Sequence, residues 1–274
     1  TSSVIIRRLP VELVLSLEGW GICPHSGPAP ENTLIPIPGG KVILGKTKDH
    51  PLYGWDNEFG SHSFEIRDFK ASKYLVSNGE FLQFIKDRGY QTEQFWTEEG
   101  WHWITFSKAQ HPLFWVADKD KYHFRTLSEI IDMPWDWPAE VNYLEAKAFC
   151  NWLAEKNSTE IRLPTEDEWY RMHDLHDIPD QPYWDKAPGN INLEHWASSC
   201  PVDHFKFGDF HDIIGNVWQW TETPITGFEG FEVHPWYDDF STPTFDTQHN
   251  LMKGGSWIST GNEATRDARY AFRR

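Results

Sequence analysis

The sequence predicts an α+β fold that is rich in loops and held together by aromatic side chains. Of its 274 residues, 16 are Trp, 9 are Tyr and 18 are Phe, and rings of this size fill a core without long regular elements. Helix signals occur in the first two-thirds of the chain, whereas turns and short strand candidates follow from about Leu175 onward. Helices followed by irregular structure indicate the α+β class.

The first 33 residues are interpreted as a lead-in or interdomain linker. They end in the turn-rich stretch SGPAPENT, and two short strand candidates follow around Gly39 and Gly40. The rest of the sequence contains no internal repeat and no low-complexity tract that would divide it further. We therefore expect one domain over residues 34–274.

Three helices are predicted from capping signals at their N-termini. In each, a Ser, Asn or Thr side chain can cap the first turn while a Glu three residues later reaches back to the cap. The pairs are Ser77 with Glu80, Asn142 with Glu145, and Thr165 with Glu168. The first helix is expected to end at Gly89. The second is expected to bury a stripe at helical spacing, made of Ala146, Phe149, Cys150 and Leu153.

The charge balance and the cysteine pattern narrow the class of protein. With 41 acidic and 25 basic residues the formal net charge is −16, which argues against nucleic-acid binding and gives no support for an anionic membrane partner. No apolar run approaches the roughly 18 residues that a membrane helix needs. Cys23, Cys150 and Cys200 form no CxxC motif, so we expect reduced thiols and a cytoplasmic protein.

Several motifs follow one another in an order that resembles one known family. RLPTEDEW, GNVWQW and GGSW occur between residues 162 and 257, after IPIPGGKVILG near the start of the expected domain. From about residue 34 to its end, the chain resembles the formylglycine-generating-enzyme (sulfatase-modifying-factor) domain family. This resemblance implies a C-type-lectin-like α+β fold with little regular secondary structure.

The same resemblance argues against formylglycine generation. Enzymes with that activity carry two copper-binding cysteines after the Gly-Gly-Ser-aromatic motif, and those positions match Ser259 and Ala264 here. Copper(I) requires soft thiolate ligands, which neither side chain provides. Another branch of the family must therefore be considered.

The stretch HPWYDDFSTPTFD resembles the branch found in sulfoxide synthases of thiol-histidine biosynthesis, most closely the ovothiol-pathway 5-histidylcysteine sulfoxide synthases. That resemblance implies cysteine, histidine and O2 as substrates. It also implies iron(II), held by a His-x3-His-x-Glu motif in a separate helical domain of the same chain. This motif is absent from the 274 residues, which begin with Thr and stop short of the family's closing strand. We therefore expect part of a longer protein with no iron ligands in this segment.

Two alternatives remain open. One is an ergothioneine-type sulfoxide synthase, whose substrate is a trimethylated histidine, although such enzymes tend to carry an Asn-Trp-Asp patch where this chain has Tyr270 and Ala271. The other is a lectin-like binding module without chemistry. The histidine pocket would separate the two enzymes, because a quaternary ammonium group prefers an aromatic cage.

Tyr237 is the candidate catalytic residue, since the resemblance implies a tyrosine in this stretch that delivers a proton or hydrogen atom. Its alternative role is to hold a loop through its hydroxyl group. Guanidinium groups bind carboxylates in bidentate fashion, so the C-terminal arginines could hold the substrates' carboxylates, or could instead pair internally with Asp238, Asp239 or Asp267. The candidate substrate-binding residues are Arg273, Arg269, Arg266, Trp236, Asp238, Trp257 and Ser259.

A structural calcium site is also considered. Asp212, Asn216 and Asn190 match calcium-ligand positions of formylglycine-generating enzymes, and their side chains carry the hard oxygen donors that calcium requires. The alternative is a hydrogen-bonded turn.

Overall fold

The computed structural model describes residues 2–15, 18–181, 187–260 and 262–273, and the regular elements within them are short. The helices are α1 (Ser2–Arg7), α2 (Asn78–Lys86), α3 (Glu98–Ser107), α4 (Tyr143–Asn157) and α5 (Glu166–Asp174). The strands are β1 (Leu34–Ile37), β2 (Gly40–Leu44), β3 (His62–Ile66), β4 (Phe69–Ser72), β5 (Trp115–Asp118), β6 (Lys121–Arg125), β7 (Ile130–Asp132), β8 (Lys206–Phe207), β9 (Phe210–His211), β10 (Gln219–Pro224), β11 (Asn250–Lys253) and β12 (Tyr270–Phe272). The predicted α+β class with little regular structure is confirmed.

The strands form small antiparallel sheets. The predicted strands around Gly39 are confirmed as β1 and β2, but β1 pairs with β4 and β2 pairs with β3. The chain crosses from one pair to the other at Gly39, where a Cβ would lie 2.2 Å from the Ile66 carbonyl oxygen. Later in the chain, β5-β6-β7 and β10-β11-β12 each form a three-stranded sheet, and β8 pairs with β9. The last of the three-stranded sheets joins the GNVWQW and GGSW motifs to the C-terminal segment.

All three predicted helix starts are confirmed. Ser77, Asn142 and Thr165 each accept a hydrogen bond from a backbone amide three residues later, and the Glu there reaches back to the cap. The first predicted helix, α2, ends at Lys86, three residues before the predicted Gly89. Its exit uses a left-handed residue, Arg88 with φ 62°. Gly89 is needed for close approach instead, because a Cβ there would lie 2.1 Å from the Phe84 ring.

Two helices were not predicted, and the buried face of α4 is confirmed only in part. The N-cap of α3 is Thr97, but Gly rather than Glu lies three residues later, so the capping-box signal is missing. The short α1 precedes the expected domain. On α4 the predicted Phe149 and Cys150 are buried, whereas the predicted Ala146 and Leu153 are only partly buried. Leu144, Ala148 and Trp152 complete the buried face. Trp152 shifts the face because its indole contacts Phe84, with ring centroids 5.8 Å apart.

The lead-in segment contributes to the core. Arg7 is buried and donates hydrogen bonds to the Arg125 carbonyl and to Glu140. Cys23 lies in the same apolar cluster as Cys200. The proposed domain boundary at residue 33 stays a prediction, but residues before it pack against residues well inside the domain.

The three cysteines, all within the described residues, are buried free thiols. Burial raises the pKa of Cys23 to about 11 and that of Cys150 to about 12, and it also raises the pKa of Cys200. Among the described residues, the helices are too short and too polar to cross a bilayer. The cytoplasmic location stays a prediction.

The buried Glu145 at the start of α4 makes the stability of the protein depend on pH. The carboxylate is 3% exposed and accepts hydrogen bonds from the Tyr90 hydroxyl at 2.6 Å and the Asn142 amide at 2.9 Å. Burial raises its pKa from 4.5 to about 7, although both hydrogen bonds lower it. The folded protein therefore binds the extra proton between these two values, so the contribution of Glu145 to stability is full below pH 4.5 and is lost as pH rises to 7.

We expect Glu145→Gln to remove this loss, since Gln also serves at this capping position. Its free energy of unfolding relative to the unmodified chain should rise by about 3 kcal/mol between pH 4.5 and pH 8. Urea unfolding at the two pH values measures the change. Glu168→Gln is the control. Burial alone would raise the pKa of Glu168, but hydrogen bonds from Arg162 and Thr165 lower it. The free energy of unfolding of Glu168→Gln relative to the unmodified chain should therefore fall between the same two pH values. If Glu145→Gln differed from the unmodified chain by the same free energy of unfolding at pH 4.5 and at pH 8, the raised pKa of Glu145 would be contradicted.

Candidate functional site

Tyr237 lies on a surface loop, residues 234–241, which we call the tyrosine loop. Its side chain is 46% exposed, and the neighbouring Trp236 is 90% exposed. Asp238 is exposed as well, and its carbonyl accepts a hydrogen bond from the Thr242 hydroxyl at 2.9 Å. Of the predicted site residues, these three are therefore placed together where a ligand can reach them.

The tyrosine loop rests on Trp55 and Tyr270, and these two rings together with Phe240 of the loop form what we call the aromatic platform. Trp55 stacks on Phe240 with ring centroids 4.4 Å apart and 26° between the planes. Tyr237 packs beside both, with centroids 5.7 Å from Trp55 and 5.8 Å from Phe240. Tilted contacts at these distances are among the arrangements that aromatic pairs prefer. The phenol of Tyr237 therefore has a supported ring and an accessible edge.

Tyr270 connects the aromatic platform to strand β12. A side-chain hydrogen bond links it to Trp55, and its ring lies 6.1 Å from that of Phe240. Burial raises the pKa of Tyr270 to about 12, although the bond to Trp55 lowers it. Its phenol is therefore neutral at physiological pH. No sequence signal pointed to Trp55, because it precedes a short turn and belongs to no periodic pattern.

Arg269, a predicted substrate ligand, is instead part of the core. It is 2% exposed and pairs with both oxygens of Glu166, at 2.9 and 3.1 Å. The same guanidinium donates to the carbonyls of Asn57 at 2.6 Å and Thr226 at 2.9 Å, and it lies over the Phe228 ring. Its donors are therefore committed to the protein, and the expectation of substrate contact is corrected to internal ion pairing.

Arg266 is likewise corrected. It forms a two-pronged ion pair with Asp174, with both nitrogen–oxygen distances 2.7 Å, and a further pair with Asp267 at 3.0 Å. Burial alone would raise the pKa of Asp174, yet the Arg266 guanidinium lowers it to about 2. Of the internal partners considered from the sequence, Asp267 is the one used.

Lys253, which precedes the GGSW motif, completes this charged core. It is fully buried, donates to the carbonyls of Arg266 and Ala268, and lies 4.4 Å from the Tyr170 ring centroid. Burial lowers its pKa to about 8, although the nearby Glu166 raises it. Lys253 therefore supports the C-terminal segment from inside the core.

Arg273 remains available at the surface. Its side chain is 46% exposed and pairs with Glu99 on α3 at 3.0 Å. The two border an open groove of about 630 Å³ that is lined by α3 residues, among them His102 and Phe106. No described residue of the tyrosine loop lines this groove. The structure therefore does not bring Arg273 into one pocket with Tyr237.

The two positions that match the copper-binding cysteines are neighbours. A Cβ added to Gly255 would lie 3.0 Å from the Ala264 Cβ and 3.3 Å from the Ser259 Cβ. Ser259 is fully buried, and its hydroxyl accepts a hydrogen bond from the Ser256 amide at 2.9 Å. Trp257 is 4% exposed. Ser259 and Trp257 therefore shape the turn from within, and neither faces a ligand from the surface.

The three candidate calcium ligands form a buried hydrogen-bonded network. The Asn216 side chain bonds both backbone groups of Cys200 at 3.0 Å and donates to Asp212 at 2.9 Å, so its oxygen is already used. One oxygen each of Asp212 and Asn190 lacks a hydrogen-bond partner. Burial raises the pKa of Asp212 well above its usual range, although Asn216 lowers it. Calcium also takes backbone carbonyl and water oxygens, so the structural calcium site stays a prediction.

A metal site of the kind an iron enzyme needs is not found in the described part of the chain. Across those residues there is no group of three or more His, Cys, Asp or Glu side chains arranged to hold a metal ion. Iron therefore does not fit the side chains described, and no step of the chemistry is assigned to a metal held by them.

Comparison with known proteins defines the fold first. The structure of PvdO from Pseudomonas aeruginosa superposes with a TM-score of 0.60 at 15% identity, covering 87% of both chains. Residues 24–274 match the family described as the sulfatase-modifying factor enzyme 1-like domain, FGE-sulfatase. The chain belongs to this family, and the fold expected from the resemblance is confirmed.

Two curated relatives are named for hercynine and for ergothioneine biosynthesis. Hercynine oxygenase of Mycolicibacterium smegmatis is 29% identical over 262 residues, which are 85% of this chain and 56% of that protein. Ergothioneine biosynthesis protein 1 of Schizosaccharomyces pombe is 26% identical over 213 residues, which are 76% of this chain and 24% of that protein. The chain spans about half the length of the hercynine oxygenases that it matches.

The different roles of the arginines can be tested by removing each charge. Arg269→Met removes the bidentate partner of the buried Glu166 and leaves it only Lys253 at 4.0 Å, and breaking a buried pair costs about 3–5 kcal/mol of unfolding free energy. Arg273→Met removes an exposed pair, which is worth about 0–1 kcal/mol. Urea unfolding of both variants measures the difference. Equal losses would show that Arg269 is not the internal support described.

Proposed function

We propose that this chain is the substrate-pocket domain of an iron(II)- and O2-dependent sulfoxide synthase, which joins a cysteine-type thiol to the imidazole ring of a histidine derivative. In this reaction the thiol and the imidazole carbon each lose a hydrogen atom, one oxygen atom enters the sulfoxide, and the other leaves as water. Family membership and the hercynine oxygenase relatives support the class.

One observation carries the proposal. Tyr237 presents a half-exposed phenol on an aromatic platform, while the family's copper-thiolate positions are Ser259 and Ala264. A chain with that pair of features has lost the ligands for formylglycine generation and keeps a supported proton donor at its surface. A binding module without chemistry has no need for such a phenol.

The histidine derivative that the comparisons favour is the trimethylated one, since the relatives are named for hercynine and ergothioneine. Exposed ring faces at Trp236 and Tyr237 suit a quaternary ammonium group. In this view the thiol partner is a cysteine derivative. Arg273 is not assigned to its carboxylate, because Arg273 pairs with Glu99 and borders a groove that no described residue of the tyrosine loop lines.

Free histidine is the second candidate, as in 5-histidylcysteine sulfoxide synthesis. Where ergothioneine-type enzymes tend to carry Asn-Trp-Asp, this chain has Tyr270, whose side chain is already bonded to Trp55. The HPWYDDF stretch favours the same assignment, and Asp238 lies beside Tyr237 with an exposed carboxylate that suits an α-ammonium group.

The function is tested with the full-length protein, supplied with cysteine, iron(II) and O2 and either hercynine or histidine. Mass spectrometry of the products identifies the sulfoxide and the preferred imidazole. A dominant hercynyl product supports the first candidate, and a dominant histidyl product supports the second. No sulfoxide with either substrate would remove the proposal and favour a binding module.

Iron(II), which would supply oxygen activation, is proposed to bind another domain of the full-length protein. We therefore expect the isolated segment, residues 1–274, to retain only substoichiometric iron after incubation with iron(II) and desalting, and to form no sulfoxide. The full-length protein treated in parallel is the control. One tightly held iron per isolated segment would contradict the expectation.

Tyr237→Phe tests the catalytic residue. The loss of one hydroxyl costs on the order of 1 kcal/mol at most, so the fold should remain. If the phenol delivers a proton or hydrogen atom during C–S bond and sulfoxide formation, coupling should slow by about 10²–10⁴-fold. Oxidation of the thiol without coupling should then take a larger share of the products. The measurement is the ratio of coupled sulfoxide to cysteine sulfinate. A ratio and rate equal to those of the unmodified enzyme would assign Tyr237 a structural role only.

A further inference from the structure

Both ends of the tyrosine loop are held by one buried carboxylate. At the first end, the His234 amide donates to Oδ2 of Asp56 at 3.1 Å. At the other end, the Ser241 hydroxyl donates to Oδ1 of the same side chain. The Asn57 amide group adds a bond to the Ser241 hydroxyl oxygen at 2.9 Å. Six residues lie between the two ends, and Tyr237 is among them.

Burial explains why these bonds matter. Asp56 is 5% exposed, Asn57 is 1% exposed and Ser241 is fully buried. No Lys, Arg or His of the described residues forms an ion pair with Asp56 within 4 Å. A buried carboxylate without a cation is costly unless neutral donors satisfy it, and here those donors come from the two ends of the loop. Each of the two carboxylate oxygens accepts from a different end of the loop.

The same short turn supports the middle of the loop. Trp55 directly precedes Asp56, and the Trp55 ring packs against the rings of Tyr237 and Phe240. Inside the loop the bonds are few and local, such as the Tyr237 amide to the His234 carbonyl at 3.3 Å. The position of the phenol is therefore set by the turn at residues 55–57 more than by the loop itself.

We infer that Asp56 is a positioning residue for Tyr237, which holds the loop ends so that the phenol stays at a fixed place above Trp55. Asp56 acts through the loop and touches no substrate. The inference rests on the proposed function for its effect on products, but its effect on the loop can be measured without any turnover.

The first measurement is hydrogen exchange of the loop amides in the full-length protein. Asp56→Ala removes both acceptors, while Asp56→Asn keeps one oxygen, so exchange over residues 234–241 should be fastest in Asp56→Ala and intermediate in Asp56→Asn. Asp136→Ala is the matched control. That carboxylate is 7% exposed and bonds the Gly27 amide, outside the loop, so its loss should leave loop exchange as in the unmodified protein. Unchanged loop exchange in both Asp56 variants would overturn the inference.

The second measurement is the ratio of coupled sulfoxide to cysteine sulfinate. Displacement of a catalytic group by about 1 Å can cost 10²-fold, so Asp56→Asn should shift the ratio in the same direction as Tyr237→Phe, by up to about that factor. In the double variant the second change should add nothing, because the phenol that Asp56 positions is already gone. Additive effects on the ratio would show that Asp56 acts independently of Tyr237 and would overturn the positioning role.

Ser241→Ala covers the case in which the Asp56 variants do not fold. It removes a single hydroxyl at one loop end, and it should speed loop exchange and shift the product ratio less than Asp56→Asn does. If the unmodified full-length enzyme forms no sulfoxide, the proposed function fails. The exchange comparison then still decides whether Asp56 holds the loop, so the two failures are distinguishable.

Discussion

The ion pair between Arg269 and Glu166 is the constraint on which the rest of the structure depends. The C-terminal third has only short strands within the described residues, so it cannot hold itself together by backbone pairing alone. Arg269 joins helix α5 through Glu166, the turn after Trp55 through the Asn57 carbonyl, and the segment after β10 through the Thr226 carbonyl. One buried guanidinium with fixed donor directions thus ties together three segments that are distant in sequence.

This arrangement explains why an acidic chain carries so many cations near its end. Arg266, Arg269 and Lys253 are internal counter-charges that occupy the junction between α5 and the GGSW segment. Their effect reaches the tyrosine loop, because Arg269 bonds Asn57 in the same short turn that contains Asp56, and because Tyr270 follows Arg269 directly. The charged core and the accessible phenol are therefore two ends of one connected structure.

The features that could be predicted from the sequence are those that depend on local interactions along the chain. The capping pairs, the strands around Gly39 and the loop-rich α+β class all depend on residues close together in the chain, and all agree with the structure. Trp55 and Asp56 could not be found in this way, because they meet the tyrosine loop across more than 170 residues of sequence and no period or spacing links the two stretches. The roles of the arginines could not be predicted for the same reason. The sequence does not show whether an arginine pairs with the carboxylate of a ligand or with that of a distant residue such as Glu166.

The burial of all three thiols has a chemical consequence. Cys23, Cys150 and Cys200 lie in apolar clusters or on a buried helix face with pKa values raised by burial, so at neutral pH they present almost no thiolate to solvent. Thiolate is the species that attacks disulfides and is oxidised to sulfenic acid. Burial thereby protects the folded chain from forming mixed disulfides with small thiols in solution, and the folded chain can tolerate oxidising conditions that its unfolded form could not.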